Sequence, residues 1–234
     1  MFLDAQGAWS LSEATDRIER FAPLGIDGVE TPVGHPDPMV EAPGYYYDVP
    51  LLPDDIAELR DRVNVPIMEH VLDPSFRVEL VRKNAVDVLT VEVCAVGVTA
   101  TRRVLQLAES AGLDARVGST LEFGPATQAG ASLAAASPAI TYPSDLIGPL
   151  VCDETVLERP VEYKEGTVTS RDEPGFGISV SEGTIQRGTT RMDGEEKGLS
   201  GERARRPEVQ GREGSDSVAS RGAPDASVRL FPYL

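Results

Sequence analysis

Short apolar runs alternate with amphipathic stretches from Met1 to about Val180, and this alternation limits the fold more than any other feature of the chain. Phe2–Asp4, Gly28–Glu30 and residues 65–68, 86–94, 115–119 and 139–142 read as short strands. Leu11–Phe21 carries apolar residues at helical spacing, with Ser10 or Ser12 as N-cap. Residues 54–63, 76–83, 99–111 and 127–136 read as further helices, the fourth closed by Gly112. The run 86–94 is apolar on both faces, as a buried parallel strand requires. Strand followed by helix, repeated at roughly 30-residue spacing or less, means parallel βα units and an α/β fold. An all-β sandwich has no place for these helices.

Two segments break the rhythm. Residues 35–53 are rich in Pro and Tyr and have no period, which predicts a long loop over one end of the sheet. From about Gly183 the chain is rich in Gly, Arg, Ser and Glu and loses apolar periodicity. The expected division is therefore a folded unit over 1–182 and a low-complexity, disordered tail over 183–234. The abrupt change suggests a chain that has lost its normal ending, as a shifted reading frame would produce.

Charge and hydropathy exclude several functions. The net charge is −16 and the pI about 4.5, so phosphate backbones are repelled and nucleic acid is not an expected partner. Acidity of this kind also occurs in proteins adapted to high salt, where screening relieves self-repulsion. Hydrophobic residues make up 41% of the chain, enough for a core. No apolar run approaches the roughly 20 residues that span a bilayer. The start has no basic segment followed by an apolar one, which points to the cytoplasm. Cys94 and Cys152 show neither metal spacing nor a disulfide framework and read as free thiols.

The polar residues that interrupt this pattern lie at strand ends. Asp4 ends the first strand and Glu30 the second, and Glu69 and His70 end the third. In a parallel barrel the C-terminal strand ends converge on one face, where sites lie. Ligands from three successive ends can then hold one hard divalent cation, or these acids can simply cap the helices that follow.

The motifs also resemble, in order, those of the enolase superfamily, specifically its mandelate racemase/muconate lactonizing enzyme (muconate cycloisomerase-like) branch. Leu3-Asp4-Ala5-Gln6-Gly7-Ala8-Trp9 is similar to the Asp-x-Asn-x-x-Trp of the third barrel strand. Val29-Glu30-Thr31-Pro32-Val33 resembles the Glu-Gln-Pro of the fourth, and Val65-Pro66-Ile67-Met68-Glu69-His70 the Pro-Ile-x-x-Asp-Glu of the fifth. Asp87-Val88-Leu89-Thr90-Val91-Glu92-Val93 and then Gly97 resemble the sixth, with its catalytic Lys and Gly-Gly. Gly118-Ser119-Thr120-Leu121-Glu122 resembles Gly-Thr-Met-Leu-Glu of the seventh and eighth. Asp145-Leu146-Ile147-Gly148-Pro149-Leu150 and Pro174-Gly175-Phe176-Gly177-Ile178 resemble two C-terminal motifs.

The resemblance implies a partial TIM-type (β/α) barrel, strands three to eight. It implies an isomerase or lyase that removes or returns the proton next to the carboxylate of a small substrate, through an enolate stabilised by Mg2+ or Mn2+. Asp4, Glu30 and His70 would be the metal ligands, with Glu69 the rival to His70. Glu92 and Glu122 would be catalytic, and Ser119 and Tyr46 would contact substrate. Trp9 would pack beside the site, and His35, Tyr45 and Tyr47 would belong to the loop at the mouth. A homo-oligomer would be in keeping with related enzymes.

There are departures. Glu92 stands where the branch has Lys, His70 where it has an acid, Gln6 where it has Asn, and Val98 replaces the second Gly. The capping domain and the two strands before Phe2, with their Lys-x-Lys pair, have no counterpart in the sequence. The alternative expectation is therefore an inactive remnant of such an enzyme.

Overall fold

The computed structural model describes residues 1–34, 52–71, 74–152, 155–188 and 227–229. Five parallel strands form the main sheet in the order β1 (Phe2–Asp4), β2 (Gly28–Glu30), β3 (Ile67–His70), β4 (Val88–Val91) and β5 (Asp114–Val117). Each pairs with the next in sequence, and a helix links each pair, so every crossover is a βα unit. The helices are α1 (Leu11–Phe21), α2 (Pro53–Arg62), α3 (Pro74–Arg82), α4 (Val93–Ala111) and α5 (Gly124–Ala136).

Local chemistry sets the helix ends. Ser10 and Glu13 form a reciprocal capping box: the Glu13 N–H donates to Ser10 Oγ and the Ser10 N–H to Glu13 Oε2. Pro begins α2 and α3, where its missing N–H costs nothing. Gly112, at φ 68°, ends α4 in the left-handed conformation.

The sheet is curled. Laid flat, β5 would lie roughly 19 Å from β1, four spacings of about 4.8 Å. Instead the Arg116 guanidinium of β5 stacks over the Phe2 ring of β1 at 5.7 Å. Phe2 and Tyr142 rings also approach to 5.7 Å. The strands therefore wrap around an interior, as a partial (β/α) barrel. Gly28 suits that interior because a Cβ there would lie 2.9 Å from the Met68 methyl and 3.1 Å from the Phe2 ring. On the outer face Val29, Ile67, Leu89, Val91, Ala115 and Val117 pack with Ile18, Ile56, Leu59, Val104 and Leu105 in one buried core.

Several sequence expectations shift. The third strand runs 67–70 rather than 65–68, which draws His70 into the sheet. The fourth stops at Val91, and α4 begins at Val93 instead of residue 99, breaking its helical geometry at Gly97, whose φ is 78°. The sixth strand is reduced to one parallel bridge, Ala115 to Ile140, with backbone bonds on either side of it. Pro138 and Pro143 flank this stretch, and each removes a donor that a longer ladder would need. A second antiparallel sheet joins β6 (Tyr163–Lys164), β7 (Thr167–Thr169) and β8 (Ser227–Arg229). The tail thus contributes β8 and the short helix α6 (Glu182–Gly188); the rest of the tail, and the loop over 35–51, lie outside the described residues. No described helix is long and apolar enough to cross a membrane.

Candidate active site

Strand alternation sorts the polar residues onto two faces. Glu30, His70, Thr90 and Arg116 meet inside the curl, which places them on the face that also carries Phe2 and Met68. In the register His70 pairs with Thr90 and Thr90 with Arg116. Glu69, one residue from His70, points to the helix side. Its Oε1 accepts the Thr31 hydroxyl at 2.9 Å. Between the two alternatives read from sequence, His70 is therefore the one that enters the interior.

His70 lies between two carboxylates. Its Nε2 is 3.1 Å from Glu30 Oε1 and its Nδ1 2.9 Å from Glu92 Oε1. Thr90 donates its hydroxyl to the same Glu30 oxygen at 2.5 Å. Arg116 Nη1 lies 3.4 Å from Glu30 Oε2, and its Nη2 lies 3.9 Å from Asp145 Oδ2. All four of Glu30, His70, Glu92 and Arg116 are at most 8% exposed. Gly118 lets the ring in: a Cβ there would lie 2.8 Å from the Thr90 methyl and 3.3 Å from His70 Cε1.

These contacts outweigh burial at the centre. Burial alone would lower the His70 pKa, but the bonds and charges of Glu30 and Glu92 raise it to about 10. Burial likewise pushes Glu30 up, yet His70, Arg116 and Thr90 bring it down to about 2. Asp145 and Glu69 go the other way. Burial raises Asp145 to about 6 against the pull of Arg116. Burial raises Glu69 to about 8, with the Thr31 hydroxyl a weaker opposing influence.

The other expected residues divide into three groups. Asp4 pairs with Glu30 in the register, but its side chain is exposed at the rim, with Oδ1 accepting the Gln6 N–H at 3.0 Å. Glu92 joins the cluster directly, and its Oε2 is buried without a hydrogen-bond partner. Glu122 forms a neighbouring group: its Oε2 accepts the Ser119 hydroxyl at 2.6 Å and its Oε1 that of Thr127 at 2.8 Å. Burial raises the Glu122 pKa, the two hydroxyls opposing it. Trp9 bridges to Val33 and is stacked by Arg17 at 5.5 Å. Tyr46, with His35, Tyr45 and Tyr47, lies outside the described residues.

Sequence reading missed Arg116, Thr90 and Asp145 as site residues. The signal for Arg116 was available: a charged residue inside an apolar strand run, two positions before Gly118, falls on the interior face by period two.

The expected metal ligands do not fit a divalent ion as they stand. Among the described residues no group of three or more His, Cys, Asp and Glu is arranged to hold one. A carboxylate oxygen near each nitrogen favours the doubly protonated ring, and that form has no lone pair for a metal. Glu30 faces hydroxyl, imidazole and guanidinium donors, and Asp4 stays at the rim.

The family model described as enolase C-terminal domain-like matches residues 1–184. Muconate cycloisomerase 1-1 of Acinetobacter lwoffii is 30% identical over 190 residues, covering 80% of this chain and 46% of its own length. Muconate cycloisomerase 1 of Rhodococcus opacus is 28% identical over 182 residues, covering 76% and 45%. Among solved structures, a substrate-liganded L-Ala-D/L-Glu epimerase from Bacillus subtilis superposes with a TM-score of 0.64 at 27% identity, over 76% of this chain and 46% of that one. The chain spans about half the length of the relatives it matches.

Proposed function

The chain belongs to the enolase C-terminal domain-like family, and from that membership and the strand-end cluster we propose that it serves an isomerase or lyase acting on a small carboxylate by moving the proton next to the carboxyl group. The observation that carries this reading is Glu92. One of its oxygens is fixed by His70 at 2.9 Å while the other, Oε2, is buried with no hydrogen-bond partner. A carboxylate held at one oxygen and unpartnered at the other is an oriented proton acceptor for a group brought against it. His70 fixes its direction, and Glu30, itself paired with Arg116, holds His70 in place. Glu122, held by Ser119 and Thr127, is the second carboxyl in this proposal, and Ser119 and Tyr46 its substrate contacts. A cytoplasmic setting and a homo-oligomeric state belong to the same proposal.

The resemblance also implies Mg2+ or Mn2+. Asp4, Glu30 and His70 do not fit that ion as they stand.

The relatives suggest the substrates to try: a muconate, and dipeptides of the Ala-Glu kind. The test is proton exchange at the carbon next to the carboxylate in D2O, followed by NMR, on the full chain and on Glu92→Gln. Exchange that the substitution abolishes supports the reading. A folded chain that exchanges none of these substrates favours the alternative, a non-catalytic remnant. That alternative has its own support in Glu92, because a carboxylate cannot offer an enolate the ammonium that Lys offers.

A further inference from the structure

Two positions that depart from the resembling segments meet in space. His70 stands in place of an acid and Glu92 in place of Lys, and these two side chains meet at 2.9 Å. An acid and a cation have exchanged places. A lone His among carboxylates would be one more metal donor, but a His matched by a new Glu opposite it is an ion pair.

We propose that His70 and Arg116 are built-in cations that take the place of the divalent ion, so that the strand-end cluster is closed by protein groups and does not take Mg2+ or Mn2+. Three observations support this. The imidazole lies between two carboxylates, 3.1 Å to Glu30 and 2.9 Å to Glu92, so each ring nitrogen faces negative charge and the ring is best matched as an imidazolium, which has no lone pair to give. Both Glu30 oxygens face donors: Thr90 and His70 on one, Arg116 on the other. Arg116 also lies 3.9 Å from a second carboxylate, Asp145, and over the Phe2 ring, so its charge is placed against both acids. A hard cation needs several oxygen lone pairs converging on one point. Here the lone pairs converge on N–H and O–H groups instead. The closure is also electrically sensible: buried carboxylates need opposite charge nearby, and an imidazolium and a guanidinium supply it without an exchangeable ion.

The inference stands on the cluster alone, whether or not the chain turns over a substrate. It is tested by NMR of the full chain with 15N-labelled histidine. The sequence holds two histidines, His35 and His70, so His35→Gln assigns both signals. At neutral pH both His70 ring nitrogens carry protons, and Mn2+ added to one equivalent leaves the His70 signals as sharp as in Glu30→Gln. Selective broadening of His70 that Glu30→Gln abolishes overturns the proposal. So does a His70 ring with a single proton at neutral pH, the signature of a ligand or of an unformed cluster.

Discussion

Replacing Glu69 by Gln should flatten the acid-to-neutral stability profile of this protein. Glu69 is fully buried on the helix side of β3, with one oxygen on the Thr31 hydroxyl and the other buried without a partner. Burial raises its pKa from 4.5 to about 8, so in the folded state it keeps its proton at neutral pH while the unfolded chain has released it. Between those two values the folded state binds more protons, and stability therefore falls as pH rises. The slope is about 1.4 kcal/mol per pH unit for one group, on the order of 3 kcal/mol between pH 4.5 and 7. Gln has nearly the shape of the protonated acid and no proton to lose. Urea unfolding of both proteins at a series of pH values measures the difference between them. The two should be close near pH 4.5, and the variant should gain steadily above it. Asp145, raised to about 6, and Glu122, also raised, are present in both proteins, so the difference between the two profiles isolates Glu69 from them. The His70 contribution is complete below 6.5 and declines only as pH rises towards about 10. Parallel profiles for the two proteins would mean that Glu69 is ionised in the folded state and that its burial has been misread.

Gly118→Ala sets a methyl 2.8 Å from the Thr90 methyl and against the His70 ring, and should cost about 1–3 kcal/mol in urea unfolding while leaving the m-value unchanged. Arg116→Met keeps the apolar bulk over Phe2 but leaves Asp145 without its cation and Glu30 with His70 alone, and should cost about 3–5 kcal/mol at neutral pH. Much of that loss should be recovered when Asp145 is also changed to Asn, since the burden is uncompensated negative charge.

The regular parts of the fold were legible because local chemistry fixes them. Ser10 and Glu13 mark the start of α1, Gly112 marks the end of α4, and apolar runs without alternation mark strands covered on both sides. The strand-end position of Glu30 followed from the same pattern, whereas Glu92 was singled out by the resemblance. The interior position of Arg116 was there to be read by period two, but its partners were not, because Glu30, Asp145 and Phe2 come from distant parts of the chain and meet only once the sheet curls. The fit to a metal was not legible either. The reading of His70 as a donor depends on which atoms face its two nitrogens, and spacing along the chain does not carry that information. The boundary of β3 moved for a similar reason: pairing of His70 with Thr90 extends the strand beyond the apolar residues that announced it.

The most direct measurement of the central claim, that His70 and Glu92 form a buried ion pair at the strand ends, is a double-mutant cycle. Unfolding free energies of the chain, His70→Gln, Glu92→Gln and the double variant give the coupling between the two side chains. A buried pair at 2.9 Å predicts non-additivity within about 0.5–3 kcal/mol, the double variant losing less than the sum of the single ones. Losses that add to within about 0.3 kcal/mol would contradict it, for then the two residues act independently and the cluster is not formed.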